Sequence, residues 1–535
     1  MRWVNQERAV SEARAWLACL TVALCRLVAV PLAPVCGGEL AGQTPRATGA
    51  TGDETWLARA QAIHRRILTL DTHVDIEGRT YATDALDPGI DNPKLQCDLV
   101  KMERGGIDAV FLIVYVAQGK RDAHGYAQAM AAARDKFRAI RRLTERYPER
   151  CALATSVDEL LQIVQSGKRA IAIGVENGYP IGEDLANLRK FYGLGARYIT
   201  LSHNGHNQIC DSCNPRKELG DDPSEHDGLS PFGRRVVAEM NRLGMMIDVS
   251  HIAPKSFWDV LEASRAPLIA SHSGCRALRD HPRNLSDKQL RALAAHGGVV
   301  QVVAVASFLK APPPAREHAI RRLAERLDIP WKNNRPNLRA VKKQKRRQFA
   351  VAMKRIDVEF PRATVQDFVD HIDHAVKVAG IDHVGIGSDF DGGGGVHGFS
   401  NHAEAPRVTA ELLRRGYTES QIAKIWAGNL LRVWRQAEAV AAKLQKPAPA
   451  AAGTNEFPAA DGTPLAQHPS IALCNGRGFS KMPAPSRSAF RRRFLPHRTT
   501  NNAGLKRLRL SERGRHRITC SFAGWTSLSV AFLTG

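Results

Sequence analysis

From about residue 60 onward, short apolar runs alternate with amphipathic segments. The runs fall at residues 67–70, 107–115, 170–175, 198–201, 245–249, 267–270, 298–303 and 384–387. They are apolar throughout, as strands buried on both faces are, rather than alternating in the manner of a half-exposed sheet. The segments between them carry a 3.6-residue period, most clearly at 229–243 and 365–378. Eight strands, each trailed by a helix, predict an α/β fold, a (β/α)8 barrel of the TIM type. A doubly wound open sheet is the alternative.

Polar residues gather where these runs end. The first ends in "DTHVD", and residues two apart on a strand share a face, so His73 and Asp75 point the same way. The third ends at Glu176 and the fourth at His203, with His206 beyond it. Asp248 and His251 end the fifth, His272 the sixth, and Asp389 and Asp391 the eighth. In a barrel of this kind all strand ends of one polarity open onto one face, where such folds keep their chemistry. A single histidine in this setting is ordinarily a satisfied core residue. Six strand ends that each deliver an imidazole or a carboxylate to one rim predict a metal site. Imidazole and carboxylate suit zinc, and there are donors enough for two ions, with Glu176 placed to bridge them. No Gly-x-Ser-x-Gly elbow occurs at a strand–helix turn. The glycines at 392–395 lack the Lys-Ser/Thr ending of a phosphate loop and are expected to let a loop pack closely beside the site.

The set resembles the membrane dipeptidase (renal dipeptidase) family, the M19 metallopeptidases. The resemblance runs from about residue 69 to 435 and rests on "DTHVD", "GVENG", "GLSPFGRRVVAEMNRLGMMIDVSH", "SHSGCRALRDHPRNLSD", "HVGIGSDFDG" and "IAKIWAGNLLRV". It implies a zinc-dependent dipeptidase in which a hydroxide shared by two zinc ions opens the peptide bond. His73 and Asp75 would hold the first zinc, Glu176 would bridge, and His251 with His272 would hold the second. His203 would face the substrate and steady the tetrahedral intermediate. Arg283 would pair with the substrate's C-terminal carboxylate, and Asp389 would carry the proton from water to the leaving amine. The segment after His203, "NGHNQICDSCN", departs from the mammalian pattern, and the C-terminal end shows no clear lipid-anchor signal. A related binuclear hydrolase of another small amide or ester is the alternative, although many such barrels begin with His-x-His rather than His73-x-Asp75.

The formal net charge of +23 raises a third reading, a non-catalytic basic binding protein. Its distribution argues otherwise. Thirteen basic and three acidic residues after residue 446 carry +10 of it, and a second cluster, "LRAVKKQKRRQFAVAMKR", occupies 338–355 and reads as a solvated helix face. No nucleic-acid partner is expected for the barrel, while a homodimer is compatible with the sequence. Residues 1–38 carry an apolar stretch that reads as a signal peptide or N-terminal anchor, implying an exported, periplasmic or membrane-associated protein. Residues 39–58 read as a linker, 59–445 as the barrel, and 446–535 as a Pro/Ala-rich linker with a basic, disordered tail. In an exported protein, Cys210 and Cys213 of "CDSC" would close a small disulfide loop.

Overall fold

Parallel strands cannot be joined by tight turns, and here the long segments between the apolar runs form crossover helices. The computed structural model describes residues 52–332 and 335–446. The expected leader and tail therefore lie outside the described residues. The eight barrel strands are β1 (Leu70–Asp75), β2 (Ala109–Tyr115), β3 (Arg169–Glu176), β4 (Ala196–Thr200), β5 (Met246–Asp248), β6 (Ile269–Ser273), β7 (Val299–Val303) and β8 (Val384–Gly387). They pair in chain order, all parallel. A short strand, Cys151–Leu153, pairs with β3 outside this path. The fold is a (β/α)8 barrel, as the spacing of apolar runs predicts.

β8 meets β1 just beyond its regular end. The Asp389 amide donates to the His73 carbonyl at 3.0 Å, and the Asp75 amide donates to the Phe390 carbonyl at 2.8 Å. Buried Asp71 ties this seam, accepting the amides of His73 and Ser388 on Oδ1 (3.2 and 2.9 Å), with His402 Nε2 2.8 Å from Oδ2.

The largest departure from the expected boundaries is in the first strand. The hydrophobic pattern places the strand in the first apolar run, with "DTHVD" at its exit. The strand instead begins at Leu70 and contains the whole motif, buried along its length. Asp71, Thr72 and His73 Nδ1 find hydrogen-bond partners within the barrel, so burial does not require an apolar sequence there.

Two apolar clusters follow from the alternation of side chains. One fills the inside, with Leu70, Phe111, Met246, Ile269 and Val299, and is closed at the strand starts by Trp434 of the helix Asn429–Leu444, 5.4 Å from the Phe111 ring. The other lies between sheet and helices. The helix Pro231–Leu243 shows the local logic. Ser230 caps it by accepting from the Gly233 amide, Pro231 opens it, and Gly244 at φ 77° ends it. Such a cap contributes about 1 kcal/mol. Its face of Val236, Val237 and Met240 buries against the barrel, and Gly244 turns the chain into β5.

Between β7 and β8 the chain makes an excursion through helices Pro314–Arg326 and Lys343–Glu359, with its own small core of Leu323, Ile329, Phe349 and Ile356. The basic run lies largely on the second of these, most of its cationic side chains in solvent, as expected of a solvated face.

Candidate metal centre

All the singled-out donors come from the C-terminal ends of strands or the first residues beyond. His73 and Asp75 lie in β1, Glu176 ends β3, and His272 lies in β6. His203, His251 and Asp389 stand two or three residues past β4, β5 and β8. Every one of the four imidazoles reaches Glu176. Its Oε1 lies 3.0 Å from His251 Nε2, 3.3 Å from His272 Nε2 and 3.6 Å from His203 Nε2, while Oε2 lies 3.6 Å from His73 Nε2. Asp75 Oδ2 and Asp389 Oδ1 approach His73 Nε2 from the other side, at 3.8 and 4.0 Å. The donor atoms form three groups, His73–Glu176–His272, Glu176–His203–His251 and His73–Asp75–Asp389, each within 4.8 Å. The first two share Glu176, which is the arrangement a binuclear site requires.

The donors are prepared for a cation. The Tyr198 hydroxyl donates to the Thr72 carbonyl at 2.9 Å and so accepts from His73 Nδ1, also at 2.9 Å. That assigns a proton to Nδ1 and leaves His73 Nε2, a buried atom without a hydrogen-bond partner, as the nitrogen that would face an ion. His272 is held in the same way. Ser271 Oγ donates to Asp248 at 2.6 Å and accepts from His272 Nδ1 at 2.8 Å, aiming Nε2 into the cluster.

Electrostatics agree with this geometry. Burial pushes the His251 and His272 imidazoles well below their usual range, helped by Arg283 and by His203 or His73, so both are neutral. Burial lowers His203 to about 4 against the pull of Glu176. At His73 burial also pushes down, but Glu176, Asp75 and Asp389 outweigh it and raise the value to about 9, so without an ion Nε2 holds a proton against these carboxylates, and a metal would take that proton's place. Burial and Glu176 raise Asp75 to about 6, and burial raises Asp389 well above the carboxylate range. Glu176 is desolvated, yet its ring of imidazoles holds it well below that range. A divalent ion relieves this crowding of carboxylates and gives the unpartnered His73 Nε2 a partner in place of its proton, so the donor set fits a metal.

Backbone strain accompanies the site. His251 and Asp389 take φ of 70° and 59°, left-handed values that cost a side-chain-bearing residue about 1–3 kcal/mol. Gly392, the first of the four glycines, packs directly on the carboxylates. A Cβ there would strike Asp75 Oδ2 and Asp389 Oδ1, so the loop does pack close beside the site.

Three strand-end residues stay out of the cluster. Asp248 lies beneath it, accepting from Thr200, Ser250 and Ser271. Asp391 turns away to the Gln96 and Cys97 amides. The His206 ring bridges the Ser212 amide and the Asp222 carbonyl. The expected disulfide is also absent. Cys210 and Cys213 are free thiols, Cys210 wholly buried in the apolar cluster between sheet and helices, so the segment is held by packing and hydrogen bonds instead. Tyr198, Ser271 and Lys136 were not anticipated from the sequence.

The family profile of the membrane dipeptidases (peptidase family M19) matches residues 57–448. The chain belongs to this family. Dipeptidase tcpJ of Claviceps purpurea is 35% identical over 351 residues, which cover 64% of this chain and 70% of that protein. Dipeptidase verJ of Clonostachys rogersoniana is 32% identical over 356 residues, covering 65% and 78%. Among solved structures, the probable dipeptidase PvdM from Pseudomonas aeruginosa superposes with a TM-score of 0.63 at 34% identity, over 72% of this chain and 99% of that one. With its donor clusters, this membership makes the chain a hydrolytic metalloenzyme of the dipeptidase type. No helix among the described residues is long and apolar enough to cross a membrane.

Proposed function

We propose that the chain is a zinc-dependent dipeptidase, with residues 59–445 as its catalytic domain. The observation that carries this reading is the division of Glu176, one oxygen facing His251 and His272 and the other facing His73. In this reading His73 and Asp75 hold one zinc, His251 and His272 the other, and Glu176 joins them. Three imidazoles beside carboxylates favour zinc over the all-oxygen sites of calcium or magnesium. When bound, such a pair lowers the pKa of a shared water and polarises a carbonyl.

The chain's own residues do the rest. His203, neutral at physiological pH, keeps an N–H to donate to the oxygen that gains charge at the scissile carbonyl. Asp389 accepts the proton of the attacking water and returns it to the departing amine. Arg283 is buried, with Nη2 donating to the His272 carbonyl at 3.0 Å and its guanidinium 5.5 Å from the Phe308 ring centre. Its Nε has no partner, and a fork with donors to spare suits a substrate carboxylate. Arg283→Ala is therefore expected to raise KM for free dipeptides on the order of 10–100-fold, and much less for C-terminally amidated ones. Equal effects on both in steady-state assays would remove the carboxylate role.

Zinc content and hydrolysis of Ala-Ala, measured together on the full chain, test the function. About two zinc ions per chain are expected, with activity lost to a chelator and regained on adding zinc. Two ions without dipeptide cleavage would move the reading to another small amide or ester. An exported or membrane-associated placement belongs to the same proposal and rests on the apolar segment within residues 1–38.

A further inference from the structure

Lys136 occupies a position where the helix Ala123–Arg146 should be apolar. The buried face of that helix comprises Ala129, Ala133, Phe137, Ala139, Ile140 and Leu143, and Lys136 lies beside Phe137 on it, three residues from Ala133 and four from Ile140. Its side chain is only 16% exposed. The stem passes beside Gly78, where an added Cβ would lie 3.1 Å from Lys136 Cγ, and the ammonium sits 5.3 Å from the centre of the Tyr115 ring. It ends 4.0 Å from Asp75 Oδ1. The other oxygen of that carboxylate, Oδ2, is the one that faces His73 Nε2. A lysine in an apolar stripe violates the helix's own pattern, and such violations mark function when they are not relieved by solvent.

We propose that Lys136 is a positioning residue for the first metal. Its ammonium holds the outer oxygen of Asp75, so that Oδ2 alone is presented to the ion beside His73. It also supplies positive charge beside Asp75 and Glu176. Arg283 cannot substitute for it, because Arg283 extends from the loop after β6 against His272, whereas Lys136 meets the site at β1 and β2. The proposal rests on the binuclear zinc reading above. It predicts an effect confined to one of the two ions, since His251 and His272 lie outside the reach of Lys136.

The test is metal retention, read without turnover. Zinc-loaded full-length chains of wild type, K136M, K136Q and K136R are dialysed against a graded series of chelator concentrations, and bound zinc is counted. K136M and K136Q are expected to release one of two ions at a chelator concentration at least about tenfold lower than wild type and to keep the other. K136R, which keeps the charge, is expected to retain both more nearly as wild type does. Release by both uncharged variants at the wild-type concentration would overturn the proposal. Loss of both ions in one step would overturn it too, because Lys136 would then support the site as a whole. A wild-type chain that takes up no zinc would overturn the proposed function itself.

Discussion

Asp389→Asn is expected to lower kcat by about 10²–10⁴-fold while leaving the metal content unchanged. The two side chains have the same shape, and asparagine tolerates the left-handed φ of 59° at this position. The backbone contacts that hold the residue also survive, since the Asp389 amide donates to His73 and its carbonyl receives the amide of Gly394 at 2.7 Å. His73, Asp75 and Glu176 remain as donors. What the variant lacks is a carboxylate able to take a proton and give it back. Metal analysis beside steady-state kinetics separates the two effects, and turnover near wild type would exclude Asp389 as the proton carrier.

The second large effect concerns the shared carboxylate. Glu176→Ala is expected to empty both metal positions and abolish hydrolysis, with a loss of affinity exceeding the roughly 10–100-fold typical of losing an outer support. Glu176 is the one donor approached by all four imidazoles, so no other residue compensates. His251→Ala should by contrast weaken one ion more than the other. Zinc counts on the two variants, with circular dichroism to verify folding, decide between them. Two ions retained by Glu176→Ala would remove the bridging role.

Much of this site was legible in the sequence because a parallel barrel converts strand order into a common rim. His73, Asp75, Glu176, His203, His251, His272 and Asp389 do come together. Which of two neighbouring polar residues faces inward was harder to read. Asp389 and Asp391 are two apart and would share a face on a strand. Both lie past β8 with positive φ, so the alternation fails and Asp391 turns to Gln96. The supports were hidden for another reason. Tyr198 and Ser271 look like ordinary strand residues, and their role depends on pairing across the barrel. Gly174 in "AIGVENG" is where an added Cβ would strike the Tyr198 ring, but a glycine alone does not name the neighbour it admits. Lys136 did leave a trace, as a charge in an apolar stripe.

The seam between β1 and β8 has a consequence in time. Asp71 and Ser388, which it joins, are 317 residues apart in the chain. Asp389 reaches the cluster by hydrogen-bonding alongside β1, so the first donors to leave the ribosome wait for the last barrel strand. A nascent chain lacking β8 would carry His73, Glu176 and His272 but have no held proton carrier. On the roles proposed here, hydrolysis cannot begin until β8 has been made and has docked, and a product interrupted before residue 389 remains inert.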